Sequence, residues 1–186
     1  VLILLIHGCE IYKSKLPISD SNNSVINDDW IGKWVGLDTN EIQFYPLFEV
    51  NLQAFNNQEY VVMFKHFKNK GRDIRSTDLY KVFNTKLGSD EYLNIKPIGY
   101  SDENFLFYKI EEDLKDSIFI RYLKDTLKLE FKSSNGFRDY LVKERVKIEK
   151  EILSQPIPFY RWRSLTWDRI NKIYKCSQFE KFYLLG

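Results

Sequence analysis

From Glu41 to Leu123 the chain repeats one unit: a short run of β-forming residues, then a turn. Glu41-Ile42-Gln43-Phe44 alternates apolar with polar, as does Phe48-Glu49-Val50-Asn51-Leu52-Gln53 before the turn residues Asn56-Asn57. Period two sends successive side chains to opposite faces, so each run offers one apolar face for burial. Tyr60–Phe67 follows, closed by Lys68-Asn69-Lys70-Gly71. Asp78–Phe83, the turn Leu87-Gly88-Ser89-Asp90, Tyr92–Lys96 with Pro97, Asn104–Ile110, Ser117–Leu123 and a last run Leu127–Phe131 continue the series. Short strands at close, regular spacing are the pattern of a sandwich or barrel. A row of hairpins has two unpaired edges, and closing the sheet removes both. The expected fold is mainly β, an antiparallel up-and-down barrel over residues 30–132. An aromatic content of 16% suits strands, and 186 residues with 44% hydrophobic content suffice for one core.

Trp30-Ile31-Gly32-Lys33-Trp34-Val35-Gly36 opens this body. Two tryptophans beside glycines let one ring plug a barrel end while backbones approach closely, so Trp30, Gly32 and Trp34 are the candidate closing residues. After Ser133-Ser134-Asn135-Gly136 the period changes. Phe137, Leu141, Ile148 and Ile152 share a helical face, with Asn135 as cap, up to Pro156 and Pro158. Residues 133–186 are therefore expected as a basic helical extension packed on the barrel, with a second helix capped by Ser164. Residues 30–120 hold 11 basic and 14 acidic side chains, and residues 121–175 hold 14 basic and 7 acidic, under a net charge of only +2.

Val1-Leu2-Ile3-Leu4-Leu5-Ile6 is an unbroken apolar run before His7-Gly8-Cys9. Six residues fall far short of the about 20 that cross a bilayer. The run, the small residue and the cysteine resemble the end of a bacterial lipoprotein signal peptide. In that resemblance residues 1–8 are the leader's C-terminal part and Cys9 is the lipidated residue. Ser/Asn-rich residues 10–29 then read, with Cys9, as a flexible tether. The body resembles the lipocalin-like lipoproteins of bacteria. The likeness rests on Trp30-Ile31-Gly32-Lys33-Trp34 with its Gly-x-Trp, on Asn104–Ile110 and on Ile118–Leu123. It implies an eight-stranded barrel with an apolar interior and a following helix at residues 136–153.

Chemistry-bearing motifs are few. There is no Gly-rich phosphate loop, no Gly-x-Ser-x-Gly elbow and no zinc-ligand spacing, since the histidines are His7 and His66 alone. His66, between Phe64 and Phe67, reads as a strand residue before a catalytic base. Glu111-Glu112-Asp113 with Asp116, and Asp28-Asp29, read as solvated turns and lack a calcium-loop spacing. Phe159-Tyr160-Arg161-Trp162-Arg163 with Trp167 and Arg169 interleaves aromatic and basic residues. Arg161, Trp162, Arg163, Trp167 and Arg169 could meet a membrane or partner, or stack into a packed cap. An exported chain would rarely meet nucleic acid. The sequence thus leads to a non-enzymatic bacterial envelope protein with no cofactor or metal, anchored through Cys9, that binds a small apolar ligand or serves as a protein-interaction module.

Overall fold

The computed structural model describes residues 11–38, 45–69, 71–101, 103–114, 116–127 and 129–164. Their core is a closed antiparallel barrel of eight strands. The staves are β2 (Gly32–Asp38), β3 (Tyr45–Ala54), β4 (Tyr60–Lys68), β5 (Asp73–Leu87), β6 (Asp90–Pro97), β7 (Phe105–Leu114), β8 (Ser117–Tyr122) and β9 (Ile157–Arg161). A two-residue strand, β1 (Lys13–Ser14), pairs with β7 from outside the ring. Each stave pairs with the next in sequence from β2 to β8. The ring shuts because β9 pairs with β8 (Phe119 opposite Pro158) and with β2 (Trp34 opposite Arg161).

That closure corrects two expectations. Leu127–Phe131 is not a strand: Asp125–Leu127 forms a 3-10 turn and residues 129–131 run irregularly. The eighth stave comes instead from within the region assigned to a helical extension, so residue 132 does not bound the barrel. Between β8 and β9 lies α1 (Ser134–Lys143), whose cap is Ser133 rather than Asn135: the Ser133 hydroxyl accepts from Gly136 N–H at 3.1 Å. The expected single helix over 136–153 breaks at Glu144. It resumes as one turn, Arg145–Lys147, and widens to a π turn, Ile148–Ile152. The break does not scatter the apolar face: Phe137, Leu141, Ile148 and Ile152 all face the same outer wall of the barrel. There they join Tyr12, Leu87, Tyr92, Phe107 and Leu123 in one buried cluster. Residues 165–186 lie outside the described set, and with them the second helix, Trp167 and Arg169.

The expected tether is also corrected. Residues 11–31 form a strap bound to the barrel, with Tyr12, Ile18 and Trp30 between 1% and 4% exposed. Its polar side chains have partners on the strands. Ile18 N–H donates to Asn94 Oδ1 at 2.8 Å, and the hydroxyls of Ser19 and Thr85 lie 2.6 Å apart. Ser24 is hydrogen-bonded to Asn84, and Asn27 N–H donates to the Tyr60 hydroxyl at 2.5 Å. Serine and asparagine here satisfy buried strand groups, where in a tether they would face water.

The barrel interior holds a second cluster: Trp30, Trp34, Val50, Tyr60, Val62 and Val82 are buried, and Phe48, Phe64, Leu93, Ile95, Ile110, Ile118 and Phe159 pack against them. Gly36 makes room for this: a Cβ there would lie 1.9 Å from the Phe48 ring. If the strap is part of the fold, Ile18→Ala lowers unfolding stability by about 2–5 kcal/mol in chemical denaturation. A flexible tether predicts a change within about 0.5 kcal/mol.

Candidate functional site

The two ends of the interior differ. One end is sealed. Trp30, in the 3-10 turn Asp28–Trp30 that ends the strap, is 2% exposed and meets the Tyr60 ring at a 6.0 Å centroid distance. Trp34 Nε1–H donates to the Trp30 carbonyl at 2.8 Å, which ties plug to stave. Over the Trp34 ring, at 4.4 Å, sits the guanidinium of Arg161 from β9. Its nitrogens also donate to the carbonyls of Ile31 (3.3 Å) and Asp29. Gly32 adopts φ +135°, a conformation that L side chains rarely adopt. Trp30, Gly32, Trp34 and Arg161 therefore form one assembly, and the Arg161 guanidinium is committed inside it.

Away from this floor the inward side chains keep part of their surface accessible. Phe64, Leu93, Ile95, Ile110 and Ile118 are half-buried, although they face into the ring. Two phenols share this wall. Tyr80 packs among the same residues, and Tyr108 lies opposite Leu93 on one side and Tyr122 on the other. Burial, with the charge of Asp78 second, pushes the Tyr80 phenol up to about 12. Burial raises Tyr108 as well, followed by its neighbours Tyr80 and Tyr122. Both are neutral hydrogen-bond donors at ordinary pH.

His66, on β4, stacks against Phe64 at 4.6 Å, and its Nε2 lies 3.6 Å from Asp78 Oδ2 on β5. Asp78 also accepts from the Tyr100 hydroxyl. Burial lowers the His66 pKa below its ordinary 6.5, with Asp78 pulling the other way. The folded state thus favours neutral His66, so its contribution to stability is present above pH 6.5 and is lost as pH falls toward the folded pKa.

Behind the wall is a feature with no local sequence signal. Lys109 on β7, 7% exposed, reaches Asp90 (3.4 Å), Glu111 (3.7 Å) and Glu149 of the π turn. Arg121 on β8 bonds Glu149 Oε2 (3.0 Å), Glu111 (3.3 Å) and the Ser154 carbonyl (2.6 Å), and Arg145 bonds Asp90 at 2.7 Å. The network clamps the helical excursion to the barrel. It also explains Glu111: the residue lies within β7, held by two cations, and not in a turn. Asp28 and Asp29 occupy the turn whose Asn27 side chain accepts from Asp29 N–H.

Outside the ring, the strap, α1 and the outer faces of β5–β7 enclose a groove of about 590 Å³ lined in part by Phe83, Phe105, Lys96 and Arg138. Trp162 is 47% exposed, with Lys33 Nζ 4.6 Å above its ring, and Arg163 is exposed beside it. Among the described residues no cluster of His, Cys, Asp and Glu is placed to hold a metal ion, and no helix is long and apolar enough to cross a membrane. Cys9 lies outside the described residues.

The adjacent arginines separate the two roles. Arg161→Ala removes a ring contact and carbonyl bonds and costs about 2 kcal/mol or more in denaturation, whereas Arg163→Ala stays within about 0.5 kcal/mol. Equal costs would contradict this assignment. No protein-family model matches the chain, and neither a curated protein nor a solved structure matches it.

Proposed function

We propose that this chain is a non-enzymatic, lipid-anchored bacterial envelope protein whose lipocalin-like barrel binds a small apolar molecule in its interior. The observation that carries the reading is the contrast along the barrel: a sealed floor, and above it inward aliphatic and aromatic side chains that keep accessible surface. Eight staves enclose either packed side chains or room for one small ligand. A filled barrel would leave Leu93, Ile95, Ile110 and Ile118 as inaccessible as Val62 and Val82, and they are half-buried instead. An apolar wall with a few polar groups is the common make-up of small-molecule sites.

The anchor rests on the apolar run and Cys9. The docked strap refines the geometry of this proposal. Ile11 bridges Lys124 at the barrel surface, two residues beyond Cys9. A lipid on Cys9 would hold the barrel against the bilayer and not at the end of a long tether. A second reading, a protein-interaction module, is favoured by the exposed Trp162 with Lys33 and Arg163.

The cup is tested with a neutral fluorescent naphthylamine. It binds saturably and is displaced by apolar competitors, and Leu93→Trp, which fills the interior, weakens it at least about tenfold while the barrel stays folded by circular dichroism. Absence of saturable binding supports the interaction module. The anchor is tested by growing cells on a palmitate analogue: label enters the full-length protein and is lost in Cys9→Ala. Undiminished label in that variant contradicts the anchor.

A further inference from the structure

We infer that the barrel's ligand is an uncharged apolar molecule carrying a hydrogen-bond-accepting oxygen, of the ketone or ester class, seated against the hydroxyls of Tyr80 and Tyr108. This rests on the reading of the barrel as a ligand cup and specifies its occupant.

The starting point is what these hydroxyls lack. Among the described residues neither the Tyr80 nor the Tyr108 hydroxyl has a hydrogen-bond partner, in contrast to Tyr12, Tyr60 and Tyr100, whose hydroxyls bond Leu129, Asn27 and Asp78. Among the described residues every side-chain nitrogen or oxygen fully removed from solvent has a partner. The two hydroxyls are therefore not sealed into the wall. They keep some accessible surface, and their registers turn them into the ring: Tyr108 stands opposite Leu93 and Tyr122, and Tyr80 stands opposite Val62 and packs against the interior cluster. A phenol surrounded by aliphatic side chains is costly without an acceptor, and here the acceptor has to come from whatever fills the space.

The charges decide the kind of acceptor. The groups acting on Tyr80 are the Asp78 carboxylate and Tyr100, and those acting on Tyr108 are Tyr80 and Tyr122. Among the described residues no cation is among the groups acting on either hydroxyl. The one arginine carried by the closing stave is held at the floor by Trp34, Ile31 and Asp29. A ligand carboxylate would thus meet an apolar wall whose His66 is favoured neutral and whose Asp78 repels it, at a large desolvation cost. A neutral carbonyl oxygen accepts from a phenol at no such cost. Both phenols stay protonated at ordinary pH and present donors only.

The test uses ligands matched in length, 2-decanone, decane and decanoate, each displacing the neutral naphthylamine at pH 8 from wild type, Tyr108→Phe and Tyr80→Phe. The ketone binds wild type about tenfold tighter than the alkane or the anion. Tyr108→Phe removes most of that advantage and leaves decane binding unchanged, which also shows that the variant's interior is intact. Tyr80→Phe acts in the same direction. Equal binding of ketone and alkane, tighter binding of decanoate, or a ketone advantage surviving in both variants overturns the inference while the cup stands. If the probe does not bind wild type at all, the cup reading fails and this inference with it.

Discussion

Closure of the sheet by β9 is the constraint on which the remainder of the structure depends. Without Ile157–Arg161, β2 and β8 would each present an open row of backbone donors and acceptors, and the inner apolar face would lie bare along that seam. Bringing β9 back requires the chain to leave β8, cover the outer wall and return. That is the task of α1, the π turn and the charge network around Lys109 and Glu149. Arg161 joins the closing stave to the floor, because one side chain at the end of β9 stacks on Trp34 and bonds the carbonyls that lead into β2. Seam and plug are thereby one assembly.

The division of the interior follows. The floor is built from the largest buried rings, with Tyr60 fixed by the strap and Trp30 fixed by Trp34. The wall above it is built from β-branched, leucine and phenylalanine side chains that pack against those rings and stay half-buried. Under the proposed cup reading, the sealed end and the half-buried wall would be the container, and Tyr80 and Tyr108 its polar groups.

The meander from β3 to β8 was legible because period-two runs and Gly/Asn turns are local signals; the hairpins at Gly71 and Gly88 fall where the sequence places them. The long-range features were not. The strap reads as a tether because Ser19, Ser24 and Asn27 look solvent-seeking until Thr85, Asn84 and Tyr60 are brought to them. β9 falls within the expected helical extension, where Pro156 and Pro158 end the helix and Phe159–Arg163 reads as a contact surface or packed cap. Pro158 is tolerated because β9 pairs with β2 only at Tyr160 and Arg161, so the ladder on that side has not yet begun. Nothing in the run Phe159–Arg163 distinguishes the arginine that stacks from the one that does not. The Lys109 network joins residues from five separate segments and has no local trace at all.

Native-state hydrogen exchange of the backbone amides across the seam tests closure most directly. Phe159, Tyr160 and Arg161 are expected to exchange as slowly as the amides of β4 and β5, in the global unfolding class, because β9 is a stave between β8 and β2. Fast exchange of those amides while β4 and β5 remain protected would contradict it, leaving an open sheet with β9 as a loose appendage.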